Sequence, residues 1–230
     1  MMRRLLPILI LLSACATGPD ARLDAPATPA VSHRVDQDQS LLTIVVRRAG
    51  PLARLGHDHV IAVRGLDGRY DAQQQQASFR FRLDAMTVDE PALRQAAGLD
   101  TVPSPEAIAA TRVNMLEKVL DAARYPEVRI DARRADGGLA LAITLHGVTR
   151  TVVVPAQITE DAASISARGS FTLLQSEFGL TPMTVLGGAL RVEDRMELAF
   201  RVRLARDQQA HAQAHEHGAG DPVQPERGTR

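Results

Sequence analysis

The sequence predicts an all-β fold, a single antiparallel eight-stranded barrel with one helical excursion between its third and fourth strands. Three observations predict it. Apolar residues recur at a period of two through most of the middle of the chain, turn signals separate these runs by short connections, and one stretch after Pro103 switches to a helical period.

The chain opens on MMRRLLPILILLSAC, with a basic start at Arg3 and Arg4, an apolar run from Leu5 to Leu12, and small residues at Ser13 and Ala14. That order is the export-signal pattern, and the apolar run is well short of the roughly 20 residues that a membrane-spanning helix needs. Residues 1–14 are therefore expected to be a signal peptide. Leu12 to Cys15 resembles the bacterial lipobox, which makes Cys15 the expected site of lipid attachment. Cys15 is the only cysteine, so no intramolecular disulfide competes for it. Ala16 after it resembles the pattern of lipoproteins bound for an outer membrane, and the expected location is the periplasmic side of that membrane. Residues 15–33 carry Ala, Pro, Thr and Asp without an apolar period, as a flexible tether would.

The folded domain is expected over residues 34–206. Strands are predicted near 40–48, 57–70, 78–88, 127–134, 139–146, 150–159, 164–175 and 190–205. In the third, Phe79, Phe81 and Leu83 alternate with Arg80, Arg82 and Asp84. The last is the plainest, with Leu198, Phe200, Val202 and Leu204 set against Glu197, Arg201 and Arg203. Asp136-Gly137-Gly138 marks a hairpin between the fourth and fifth strands. A one-sided meander must bury its inner face, and closing into a barrel does so while removing exposed edges; a two-sheet sandwich is the alternative. Between strands three and four, Ser104 fits an N-cap and Pro105 the first helical position. The stripe Ile108, Met115, Leu116, Val119 and Leu120 then predicts a helix from Ser104 to Leu120, ending before Tyr125-Pro126. Residues 207–230 are polar and aperiodic, an expected disordered tail carrying His211, His215 and His217.

Charge narrows the function. The chain has 27 Lys and Arg against 27 Asp and Glu, and losing Arg3 and Arg4 with the leader leaves no basic stripe suited to a nucleic-acid backbone. Hydrophobic residues make up 45%, enough for one domain with a substantial core. No Gly-x-Ser-x-Gly elbow, His-Glu-x-x-His pair or phosphate-cradling glycine loop occurs, so no enzyme activity is expected.

The alternation places Ile61, Val63, Phe79, Phe81, Leu83, Val128, Ile130, Leu141, Ile143, Phe171, Leu198, Phe200 and Val202 on the inner face. Eight strands enclose a space that side chains just fill or that holds one small ligand, and the pattern allows both. His57-Asp58-His59 opens the second strand. The period sets His57 and His59 on the face of Ile61 and Val63, where two imidazoles can meet a head group, share a metal ion, or simply stand solvated in a polar loop. A third ligand from His33 or His146 would favour metal. His146 itself falls opposite Ile143 and Leu145 before Gly147, a structural position tied through its ring nitrogens.

The segment Ile143-Thr-Leu-His-Gly-Val-Thr-Arg150 resembles a motif of the YceI-like proteins. Other matches come in that family's order: Asp36 and Ser40, Gly65 with Tyr70, Tyr125-Pro126, and Ser176-Glu-Phe-Gly-Leu180. The chain departs from the pattern at Arg47-Arg48, where a histidine is usual, and in carrying Gly56-His57-Asp58-His59. The resemblance implies an exported protein with a lipocalin-like barrel around an isoprenoid or other long apolar lipid, the helix acting as a lid at one mouth. Its expected partners are that lipid and the membrane to which Cys15 is anchored. The alternatives are a periplasmic metal- or haem-binding protein using His57 and His59, and a ligand-free stress-response module.

Overall fold

A computed structural model describes residues 32–207. The leader, Cys15, most of the tether and His211, His215 and His217 lie outside the described residues. Within them the chain is mostly antiparallel sheet with few helices. The strands are β1 (Ser32–Val35), β2 (Leu41–Ala49), β3 (His59–Val63), β4 (Asp67–Asp71), β5 (Gln76–Arg82), β6 (Thr87–Val88), β7 (Glu127–Ala135), β8 (Gly138–Leu145), β9 (Val148–Pro155), β10 (Gln157–Glu160), β11 (Ser164–Leu174), β12 (Thr184–Val185) and β13 (Leu190–Arg206). Hydrogen bonding runs in the order β6-β3-β2-β13-β1-β4-β5-β7-β8-β9, with β11 and β12 also on β13 and β10 on β11.

Thirteen strands thus stand among the described residues where eight were expected, because three of the expected runs are each broken in two and the short β1 and β12 lie outside any of them. The run expected at 57–70 is divided into β3 and β4 by Arg64, Gly65 and a Leu66 that turns inward and is buried. The run expected at 78–88 is divided by a single helical turn at Leu83–Ala85, again around a buried leucine. β9 ends at Pro155, which has no N–H to give the ladder. After it, the chain leaves β8, and β10 pairs with β11 instead. β13 lies along β11 from Arg195 to Ala205, and its other side pairs with β2 and then β1. Its register against β2 slips between Val192 and Met196.

The connections at the two ends of the sheet differ. Residues 72–75, 136–137 and 161–163 are tight turns at one end, the hairpin at Asp136-Gly137 using a glycine at φ 81°. At the other end run the long connections 50–58, 89–126 and 175–189, the kind of surface segment that carries function on a rigid scaffold. The 89–126 connection holds α1 (Pro91–Ala96), which sequence periodicity did not reveal, and α2 (Pro105–Asn114). Ser104 caps α2 as expected, its Oγ accepting from the Ala107 N–H at 3.2 Å. Instead of remaining α-helical to Leu120, the segment widens into a π-helical turn over Met115–Val119.

His146 and Gly147 form a two-residue turn between β8 and β9, both with positive φ (53° and 75°). This is the backbone signature of the type I′ hairpin. Tyr125 packs over it, ring centroid 4.4 Å from that of His146, and a Cβ at position 147 would lie 2.9 Å from the Tyr125 ring. The motif around His146 is therefore a hairpin turn roofed by the tyrosine that ends the helical excursion. The ring contact, rather than bonds from the imidazole nitrogens, is what ties His146 down.

Candidate functional site

The alternating residues of the sheet enclose an apolar cavity of about 290 Å³. β2 contributes Leu42, Ile44 and Val46 at a strict period of two, and β13 contributes Met196, Leu198, Phe200 and Val202 in the same way. Phe79, Phe81, Leu83, Val128, Ile130, Leu141, Ile143 and Phe171 line it as well, together with Ile61. Of the inner-face residues expected from the alternation, Val63 alone lies off the cavity. It is buried at 2% exposure in the surrounding core, and Leu66 from the strand break lines the cavity beyond it.

A second, smaller space of about 80 Å³ lies toward the tight-turn end, and Phe79, Phe200 and Val202 line both. These side chains form the partition. Two glycines seat the rings: a Cβ at Gly68 would come within 2.6 Å of Phe79, and one at Gly169 within 2.9 Å of Phe200 and 2.4 Å of the Pro155 carbonyl. Phe171 meets Phe200 edge-on at 6.2 Å between centroids, a favoured aromatic geometry.

At the long-connection end the lining changes character. Thr111 and Asn114 of α2, Met115 and Val119 of the π turn, Gln175 and Met183 all reach it, as does His59 at the start of β3. The sequence reading missed Thr111 and Asn114 because it looked for the helix's apolar stripe, and a helix facing a cavity mouth turns polar residues inward too. It also missed Leu42, Ile44 and Val46, although their alternation was there to be read. Met86, Met115, Met183 and Met196 add flexible thioether side chains to the lining, able to repack around an irregular shape.

His59 is held from behind. Its Nδ1–H donates to Asp89 Oδ2 at 2.6 Å, and Asp89 Oδ1 accepts from the Val60 N–H at 3.0 Å and from Arg94 Nη1 at 2.6 Å. The Asp89 side chain is fully buried and Arg94 nearly so. Arg94 also donates to the carbonyls of Asp58, at 2.7 Å, and Thr101, so its fork is satisfied by protein. Burial pushes the Asp89 carboxyl up, but the hydrogen bonds from His59, Val60 and Arg94 outweigh it and hold the group below the usual carboxylate range. Asp89 takes a left-handed backbone, φ 59°, which aspartate tolerates better than most residues, and its own N–H donates to the Val60 carbonyl at 2.8 Å. Neither Asp89 nor Arg94 was singled out in the sequence. They sit 30 and 35 positions after His59, and only the β3–β6 pairing brings Asp89 to it.

His57 departs from expectation. β3 begins at His59, so His57 belongs to the preceding connection and does not line the cavity. Its Nδ1 is buried without a hydrogen-bond partner, and its ring stands 6.2 Å from that of His59. His33 packs near Tyr70 at the opposite end of the sheet, and His146 on Tyr125. Among the described residues no group of three or more His, Cys, Asp and Glu side chains is placed to hold a metal ion, so the third ligand sought for His57 and His59 is not supplied.

A family model for a YceI-like domain matches residues 34–204. Among solved structures, the chain is similar to a polyisoprenoid binding domain from Saccharophagus degradans implicated in plant cell wall breakdown. The identity is 11% and the TM-score 0.57, over 77% of this chain and 99% of that one. It is also similar to BcnA from Burkholderia cenocepacia, with 14% identity, a TM-score of 0.49, and coverage of 74% of this chain and 98% of that one. No curated protein sequence matches it.

Proposed function

The chain belongs to the YceI-like domain family, and from that premise we propose that it is a non-enzymatic carrier or sequestering protein that takes the chain of an isoprenoid or related lipid into its apolar cavity. The cavity carries the proposal. An apolar space of about 150 Å³ already stays dry and accepts a benzene-sized guest, and this one is about 290 Å³, lined by alternate residues of seven strands, β2, β3, β5, β7, β8, β11 and β13. Each CH₂ moved into it from water contributes about 0.8 kcal/mol, so few specific contacts are needed. The name of the Saccharophagus domain points to the same ligand class.

The strand breaks fit a barrel in this account. β1 with β2, β3 with β4, β5 with β6 and β9 with β10 are then single bent strands, which with β7, β8, β11 and β13 make an eight-stranded antiparallel meander whose last strand meets its first. The pairings of β13 with β1 and β2, and of β10 with β11, support that closure. Ile61, Phe79, Phe81, Leu83, Ile130, Ile143, Phe171, Leu198, Phe200 and Val202 are the proposed chain-binding residues. Export, cleavage before Cys15, lipid anchoring there and a periplasmic site on an outer membrane belong to the same proposal, supported by the leader pattern. The tether from Cys15 and the domain boundary at 206/207 complete it, with the tether two residues shorter than expected because Ser32 and His33 are already paired in β1. The metal-binding alternative finds no third ligand among the described residues, and His57 stands off the cavity, so neither metal nor haem binding through both histidines is carried forward.

Organic extraction of the purified chain followed by mass spectrometry tests the proposal. One isoprenoid or acyl lipid per chain is expected. An empty extract from a chain that also fails to take up added lipid would overturn it.

A further inference from the structure

The proposed carrier function says what fills the cavity but not what stands at its end. We propose that His59, fixed by Asp89, reads a hydroxyl head group, so that the cavity selects amphiphiles ending in an alcohol, phenol or quinol over chains whose polar end has no O–H to donate. This rests on the reading of the cavity as a lipid site.

The geometry sets the preference. A carboxylate can only accept, so the 2.6 Å contact places the imidazole proton on Nδ1, between His59 and Asp89. In the neutral ring that leaves Nε2 as the lone-pair nitrogen, and His59 is one of the residues lining the cavity. Asp89 cannot turn away, because Val60 N–H and Arg94 hold its other oxygen. Supporting groups of this kind fix both the tautomer and the orientation of a functional histidine. Among the described residues Nε2 has only Thr111 Oγ1 at 3.5 Å, too long for a good hydrogen bond. Thr111 and Asn114 line the same end and can donate to the oxygen of a hydroxyl that gives its own proton to Nε2. An ether or ester oxygen meets lone pair against lone pair at Nε2 and forfeits that bond. Most of the remaining lining is hydrocarbon or thioether, so an unpartnered O–H elsewhere in the cavity is penalised, which orients the guest with its head at His59.

Calorimetric titration of the purified, lipid-stripped full-length chain with farnesol and with farnesyl methyl ether tests this. The two share one apolar chain and differ in the O–H. The alcohol is expected to bind roughly tenfold more tightly, the worth of one buried hydrogen bond, and His59→Leu is expected to bring the two close to equality while the ether's affinity holds. Asp89→Asn, which frees the tautomer, should narrow the gap as well. Equal binding of both probes to the unmodified chain would overturn the head-group assignment and leave the cavity reading standing. Binding of neither would overturn the cavity reading itself, and a preference that survives His59→Leu would remove His59 from the role. If His59→Leu does not fold, the comparison on the unmodified chain still decides.

Discussion

Asp89 and Arg94 form a buried ion pair whose value lies in what it positions. Removing two charges from water costs several kcal/mol, and their attraction offsets that only because every donor and acceptor is engaged. Arg94→Met should therefore lower stability by about 3–5 kcal/mol in urea denaturation, since it strands Asp89 in the interior. Asp89→Asn keeps a residue type that accepts the left-handed backbone and should cost less. His33 gives a pH dependence. Burial, helped by the charge of Arg206, holds its pKa below the ordinary value of about 6.5. As pH falls below that value the unfolded chain takes up the proton first, so native stability is intact above it and declines down to the lower folded pKa. Denaturation midpoints measured from pH 7.5 to 5 should show that decline, and His33→Gln should reduce it. At this scale the sequence was only partly legible. His59 stood out as a histidine entering an apolar strand, and the alternation placed it on the inner face. Its partners did not, because an aspartate before Glu90-Pro91 reads as the approach to a helix until the fold brings it against β3. His57 was misplaced for a related reason: a period of two says which face a residue takes, but not where the strand begins.

The elements divide between those that sequence pattern specifies and those that tertiary contacts specify. Strands with strict alternation, such as β13 and β5, were readable. The breaks at Leu66 and Leu83 were not, since each replaces a ladder position with a leucine folded inward, and burial of that leucine is visible only once the sheet exists. Pro155 was a readable stop that alternation on either side concealed. α2 announced itself through Ser104 and Pro105, and Ser104→Ala should cost about 1 kcal/mol, measurable by thermal unfolding. α1 is too short to show a period. The partition of Phe79, Phe200 and Val202 makes a prediction for the cavity. Phe200→Ala should join the spaces of about 290 and 80 Å³ and shift the preferred ligand toward longer chains, at about 3 kcal/mol in stability. Competition between homologous lipids of increasing length measures the shift, and an unchanged preference would show that the ring is not the floor. Gly169→Ala should act on the same ring from behind, and because the Pro155 carbonyl also stands in the way, it should destabilise the sheet besides.

At the scale of the whole molecule, the long connections gather at the His59 end, beside the single tight hairpin at His146-Gly147, and tight turns close the other end, so the ligand route is expected at the former. Leu55, Val185 and Leu186, which are 60%, 38% and 66% exposed, belong to those connections. Ser32 pairs with Asp71 at the tight-turn end. From Cys15 to Ser32 a fully extended chain spans up to about 60 Å, enough, under the proposed anchoring at Cys15, for the opening to reach a bilayer from an attachment at the far end. Cys15→Ser should release the domain from membranes in fractionation, with its thermal unfolding unchanged; a protein that stays membrane-bound would remove the anchor from the account. Most of the described architecture was legible in the sequence as an inward face and a helical excursion. Whether the interior was filled or hollow was not, because hollowness depends on side-chain volumes summed over all the strands that line it. The central claim is that the hollow holds a lipid chain, and the most direct test is calorimetry with alcohols of increasing chain length. Affinity should rise about fourfold per added methylene until the cavity is full, then level off. Affinity independent of chain length, or no binding at any length, would contradict the account.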